Sequence, residues 1–245
     1  MHRLVTIAAC CCAACAAFAP AVAPRVRSAR LSAEREPWEA GRFARTLLAF
    51  RPRLFGGRGG GGTAQHSAGV ELFSSAADWA AWQSLDDVVM GGVSKSSLAP
   101  NPAGPGAVFA GVVKTSNNGG FAGVRTRNIA PALDMRGLSG LALTVRDAAP
   151  RRYKIVVRSD TKWDGYGWTG SFDTSGGGKL TTVKVPFESL KPVFRAKTVT
   201  ADKPLDVSSI VSFQIAYSKF EYDDTLNPMF EAGEFSLAIE GFAPY

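Results

Sequence analysis

The chain has 245 residues, is 46% hydrophobic and 20% charged, and carries a formal net charge of +7. That length suits one domain of ordinary size with an appendage, and the composition excludes both a disordered chain and a multi-span membrane protein. Residues 1–66 hold ten Arg against three Glu, which accounts for the whole net charge, so residues 67–245 are neutral and their composition gives no argument for nucleic-acid binding.

In chain order the first element is an address. An apolar run from Leu4 to Ala17 has the length of a signal-peptide core and is too short to span a bilayer. It ends in Ala17-Phe18-Ala19-Pro20, followed by an Arg-rich stretch without acids up to Ser32. This resembles the two-part presequence of algae with secondary plastids, cut just before Phe18. An ordinary secretory signal and a mitochondrial presequence are the alternatives. Residues 1–17 are thus assigned as signal-like and 18–66 as transit peptide and linker, and the location as organellar, plastid before mitochondrion. Within the linker, Trp38, Phe43, Leu47 and Leu48 could line one face of a short basic helix, ended by Arg51-Pro52-Arg53. Six glycines between Gly56 and Gly62 read as a flexible tether. They lack the Gly-Lys-Ser/Thr ending and the preceding strand of a phosphate-binding loop.

All four Cys lie in the first fifteen residues, and the two His are His2 and His66. The domain over 67–245 therefore has no disulfide, no zinc ribbon, no thiol or Ser-His-Asp catalysis and no His-based metal site. Cleavage at Phe18 would leave a mature protein without Cys.

The domain opens with a helix predicted over Ala76 to Leu85, with Ser75 as N-cap. Everything after it reads as strand. Ala107 to Val113 and Phe121 to Arg127 are followed by runs of period two. In these Leu141, Leu143 and Val145, then Ile155 and Val157, Val183 and Val185, Phe213 and Ile215, and Phe235, Leu237 and Ile239 point to one face. Turn-rich segments separate the runs. The expectation is an all-β sandwich of jelly-roll type with one short helix and long loops.

Asp86-Asp87-Val88-Val89-Met90-Gly91-Gly92-Val93-Ser94 is the most specific segment. Adjacent acids in an extended chain face opposite ways, so Asp86 and Asp87 cannot share a substrate as a glycosidase pair would. They are expected to brace the Gly91-Gly92 turn through backbone N–H groups. Asn117-Asn118-Gly119-Gly120 is a turn signal whose side-chain amides could alternatively hold a polar ligand. Trp163, Asp164, Tyr166 and Trp168 lie in a Gly-rich loop and are the candidate partner- or ligand-binding residues. Aromatic faces beside a carboxylate suit sugar stacking or a protein hot spot, and the same rings could instead fold back into the core. Glu221, Asp223 and Asp224 form an acidic loop without the spacing of a defined Ca²⁺ site, so it reads as a solvated turn. No metal or cofactor is expected.

Taken together, these segments resemble the complex I intermediate-associated protein 30 family. The stretches that carry the resemblance are Trp82 with Asp86 to Ser94, then Asn117 to Ala122 with Arg125. They continue through Gly140 to Arg146, Tyr153 to Arg158, Pro186-Phe187 with Lys191 to Arg195, and the strand Gly233 to Ile239. The resemblance covers about residues 70–242. It implies a galactose-binding-like β-sandwich without established catalytic activity, whose best-known members assist assembly of respiratory NADH dehydrogenase. Plastid and cyanobacterial relatives are linked to photosystem biogenesis, some fused to a dinucleotide-binding domain. Here no strand is followed by G-x-G-x-x-G. The expected function is a non-catalytic assembly factor or chaperone that binds subunits or intermediates of a membrane electron-transport complex, peripheral to the membrane at most. A jelly-roll carbohydrate-binding module using Trp163, Tyr166 and Trp168 is the alternative, and a carboxylate hydrolase would need two acids converging on one cleft.

Overall fold

The computed structural model describes residues 36–50, 63–162, 165–201 and 204–245, all within one compact unit, Ala33–Tyr245. The segment expected to be a presequence, with the cut expected at Phe18 and the four Cys, lies outside the described residues, as do Trp163 and Asp164. No helix among the described residues is long and apolar enough to cross a membrane.

In chain order the elements are α1 (Ala40–Ala49), β1 (Thr63–Gln65), α2 (Ala76–Ala80), β2 (Trp82–Ser84), β3 (Lys95–Pro100), β4 (Ala107–Val113) and β5 (Phe121–Thr126). They continue with β6 (Ala132–Asp134), β7 (Gly140–Asp147), β8 (Arg152–Arg158), β9 (Gly167–Asp173), β10 (Thr181–Pro186), β11 (Lys191–Phe194), β12 (Lys197–Thr198), β13 (Ser212–Ser218) and β14 (Gly233–Pro244). Two antiparallel sheets form the sandwich. One has the order β10-β7-β14-β4-β3, the other β12-β11-β9-β8-β13-β5-β2, and a short parallel pair joins β1 to β6. Neighbours that are distant in sequence, such as β14 between β7 and β4, give the crossed connections of a jelly roll.

Period two decides which side chains meet between the sheets. Tyr153, Ile155 and Val157 of β8 stand beside Tyr217, Ile215 and Phe213 of β13. They face Leu141, Leu143, Val145, Leu237 and Ile239 of the other sheet in one buried cluster. Of the twelve side chains expected inside, eleven are buried; Val183 is half-buried because β10 is an edge strand. A β-bulge between Ile239 and Gly241 shifts the alternation, so Ile239 and Phe242 both point inward.

The helix after Ser75 is shorter than expected. Ser75 caps it with a reciprocal capping box to Asp78, but it ends at Ala80. Trp82, Gln83 and Ser84 become strand because Trp82 to Ser84 pair with Thr126 to Val124 of β5. Trp79 and Trp82 then pack with Phe73, Phe213 and Phe242 and close one end of the core. The short basic helix also forms, as α1, and it packs on the sandwich. None of its residues is buried: Phe43 is half-buried and, with Leu47, borders the outer face of the sheet, while Leu47 and Leu48 are both exposed.

Candidate functional site

The two acids of the signature segment point apart, as the extended chain requires. Asp87 starts a 3-10 turn, Asp87–Met90, and its side chain is fully buried. Its carboxylate accepts hydrogen bonds from Ser94 N–H (2.9 Å), Ser94 Oγ (2.7 Å), Gly120 N–H (2.9 Å) and Phe121 N–H (3.3 Å). Asp86 accepts from Ser96 N–H (3.1 Å), Gly123 N–H (3.2 Å) and the Ser96 hydroxyl. Both acids are therefore braces, but not through side-chain bonds to the Gly91-Gly92 amides, which instead donate to backbone carbonyls of the same turn. The donors, mostly backbone N–H groups, are Ser94 just before β3, Ser96 in β3, Gly120 in the loop before β5, and Phe121 and Gly123 in β5.

The glycines follow from the acids. A Cβ at Gly92 would lie 2.2 Å from Asp87 Cγ, and one at Gly119 would lie 2.4 Å from Asp87 Oδ2. Gly91 has a φ of 90°, the left-handed conformation that closes the 3-10 turn. Asn117 and Asn118 also take positive φ, which Asn tolerates best among residues with a side chain. Asn117 Nδ2 donates to Gly91 O (3.1 Å) and Glu36 O (2.9 Å), so this amide ties the two motifs together.

Residues 36–50 lie in the stretch expected to precede the domain, and they pack onto this motif. Arg42 donates to Asp86 Oδ2 (3.1 Å) and Ser94 O (2.9 Å). Trp38 Nε1 donates to Val88 O (3.0 Å), and Glu36 pairs with Lys114 at 2.8 Å. Burial pushes the Asp86 carboxyl up to about 6, against its hydrogen bonds to Ser96 and Gly123 and the Arg42 charge, which pull it down.

Arg125, the remaining signature residue, is buried on the outer face of β5, where its Nε donates to Ser212 Oγ (3.0 Å) and its guanidinium lies 5.6 Å from the Phe50 ring centre. It belongs to a groove of about 840 Å³ that runs across the outer face of the seven-stranded sheet. Small residues, Gly167, Thr169, Ala216 and Ser218, form the floor, with Lys154, Arg158 and Gln214 among them. Phe194 and Tyr222 stand on one side, and Met90, Phe43 and Leu47 on the other. All seven residues of β13 are buried, so this strand is covered on both faces. The Lys154 ammonium donates to the Phe220 and Glu221 carbonyls and lies 5.0 Å from the Tyr222 ring centre; burial holds it down at about 8, with Glu221 acting the other way. Sequence reasoning did not single out the groove. The signal was present in Ser212, Gln214, Ala216 and Ser218, an outward-facing set without charge.

Of the candidate aromatic loop, Tyr166 is half-buried and sits 6.3 Å from Trp168, ring centre to ring centre. Trp168 takes the inward phase of β9 and packs against the core. Neither ring lines the groove, although Gly165 and Gly167 do. In the acidic loop, Asp223 accepts from Thr198 N–H (2.8 Å) and Thr198 Oγ1 (2.7 Å), Asp224 pairs with Lys197, and Glu221 accepts from Ser171 Oγ (2.7 Å). Asp223 and Asp224 thus hold the β11–β12 hairpin, while Glu221 reaches β9. Among the described residues no cluster of His, Cys, Asp and Glu is arranged to hold a metal ion.

Among solved structures, the chain is similar to the family 11 carbohydrate-binding module from Clostridium thermocellum in complex with a β-1,3-1,4-mixed-linked tetrasaccharide. Identity is 15%, coverage 67% of this chain and 88% of that one, and the TM-score 0.45. The same family's module from the cellulosomal cellulase Lic26A-Cel5E of Clostridium thermocellum matches at 18% identity, 65% and 87% coverage and a TM-score of 0.40. An exo-β-agarase matches at 13% identity over 73% of this chain and 25% of that one, with a TM-score of 0.43. No curated protein sequence matches the chain. The family model for complex I intermediate-associated protein 30 matches residues 72–239, which span the sandwich from α2 into β14. The chain belongs to the complex I intermediate-associated protein 30 family.

Proposed function

We propose that the protein is a non-catalytic assembly factor that binds subunits or assembly intermediates of a membrane electron-transport complex. The client is an NADH dehydrogenase of complex I type or a plastid photosynthetic complex. The observation that carries this reading is the family match over 72–239, the length of the sandwich. The use of the polar signature residues supports it. Asp86, Asp87 and Asn117 spend their side chains on the protein's own backbone and hydroxyl groups, so none is left poised as a general acid, base or nucleophile. What the sheet offers is a groove with mixed apolar and cationic lining, which suits protein recognition.

The place of action we propose is an organelle reached through the presequence, a secondary plastid on the strength of Ala17-Phe18-Ala19-Pro20, with the mitochondrion as the alternative. Affinity purification of the tagged protein from isolated plastids and mitochondria, with identification of co-purifying subunits, tests function and place together. Membrane electron-transport subunits enriched from one organelle support the reading. Their absence from both refutes it.

A further inference from the structure

The signature motif holds a stretch of chain besides its own turn. Asn117 clasps the main chain of Glu36: its Oδ1 accepts from Glu36 N–H (3.1 Å) and its Nδ2 donates to Glu36 O (2.9 Å). A carboxamide that turns its acceptor and a donor to one residue reads peptide backbone, whatever the side chain. The Glu36 carboxylate lies on Lys114 Nζ (2.8 Å) and accepts from Ser116 Oγ (3.0 Å). Two residues on, Trp38 Nε1 donates to Val88 O (3.0 Å). Four residues further, Arg42 donates to Asp86 Oδ2 (3.1 Å) and Ser94 O (2.9 Å). Among the described residues, Asn117 Oδ1 and the Lys114 ammonium take their partners only from this segment. Yet the segment is not part of the core. No residue of α1 is buried, and Trp38 is 47% exposed. Its ion pairs to Lys114 and Lys95 are open to water, where such pairs add little stability. It lies before the family match over 72–239, whereas Val88, Ser94, Lys114 and Asn117 lie within it.

We propose that the signature motif is a peptide-docking site and that residues 36–42 are its resident occupant, a latch bound in cis that a free segment of the same chemistry displaces. That chemistry is an acid whose backbone amide pair is presented to Asn117, an indole N–H two positions on and an arginine four positions beyond it. The inference goes beyond the assembly reading and holds whichever complex is the client. Residues 51–62, six of them Gly, connect the latch to the sandwich. A connection of that length gives an effective concentration of about 1 mM. A site that binds the free segment at about 0.1 mM is then filled in about nine of ten molecules, closed and still displaceable. Phe43 and Leu47 border the groove on the outer face of the seven-stranded sheet, so release of the latch also removes that border.

The test uses the purified full-length chain and a labelled peptide of residues 36–50, acetylated so that the Glu36 amide N–H is kept, read by fluorescence anisotropy. An opened chain carries Trp38→Ala and Arg42→Gln, which weaken the latch and leave the docking residues unchanged. It is expected to bind the peptide roughly tenfold more tightly than the unmutated chain, whose site is already filled. A peptide with Glu36→Gln, Trp38→Ala and Arg42→Gln should bind the opened chain roughly tenfold more weakly than the unmutated peptide. Lys114→Gln, added to the opened chain, should weaken the unmutated peptide as well. If circular dichroism shows the opened chain unfolded, Glu36→Gln with Trp38→Ala takes its place, because it keeps the Arg42 bond to the buried Asp86. A folded opened chain that binds the peptide no better than the unmutated chain overturns the proposal, and so does equal binding of the two peptides. Sedimentation that shows the unmutated chain as a dimer and the opened chain as a monomer places the segment on a second copy and overturns the assignment in cis.

Discussion

Asp87 occupies the space that a side chain at Gly92 would need: a Cβ on Gly92 would lie 2.2 Å from Asp87 Cγ and 2.4 Å from Oδ1. Gly92 does not take the positive φ that would forbid a side chain on backbone grounds. The glycine is required by its neighbour's carboxylate. Gly92→Ala should therefore destabilise the protein, and much less so when Asp87 is already Ala. Urea unfolding of the two single variants and the double variant should give a coupling of about 1 kcal/mol or more. Asp87→Asn alone turns an amide donor toward N–H groups and should cost on the order of 1.5–3 kcal/mol. Additive effects of Gly92→Ala and Asp87→Ala would remove the link.

Asp86 provides a pH test. Its folded-state pKa is raised from 3.8 to about 6, so the folded protein holds that proton more tightly than the unfolded chain does. The contribution of this group is fully present below about pH 4 and is lost as pH rises through 6, a change of roughly 3 kcal/mol. The stability advantage of the unmutated protein over Asp86→Asn should accordingly be larger at pH 4 than at pH 7. Denaturant unfolding of both proteins at the two pH values measures this. An advantage that grows toward neutral pH would mean that Arg42 and the backbone donors outweigh burial.

Ile215 and Leu237 are fully buried between the sheets. Truncation of either to Ala should cost roughly 2–5 kcal/mol by chemical denaturation, because lost burial and a cavity add. A loss below about 1 kcal/mol at both positions would contradict the packing described for the core.

Trp168 and Tyr166 should separate in the same assay. Trp168 packs against the core from the inward phase of β9, so Trp168→Ala should cost roughly 2 kcal/mol or more. Tyr166 precedes the strand and should tolerate Ala within about 1 kcal/mol. The reverse order would place Tyr166 in the structural role.

The sheets were legible because alternation is a local signal. The inward residues of β7, β8, β13 and β14 could be read directly from period two, and Ala107 to Val113 matched β4 at both ends. Lys95–Pro100 was not read as a strand, because an edge strand of Lys, Ser, Ser, Leu, Ala and Pro carries little apolar alternation. The bracing role of Asp86 and Asp87 was legible from their adjacency. Their donors were not, since Gly120 and Gly123 lie 33 and 37 residues away and only the sandwich brings them close. The groove was illegible for the same reason: Leu85, Arg125, Lys154, Phe194 and Gln214 come from five separate stretches.

The measurement closest to the central claim is affinity purification of the tagged protein from isolated organelles, followed by identification of what it carries. The account predicts enrichment of subunits of one membrane electron-transport complex, present as partial assemblies. Recovery of glycans or glycoproteins without any such subunit would contradict it.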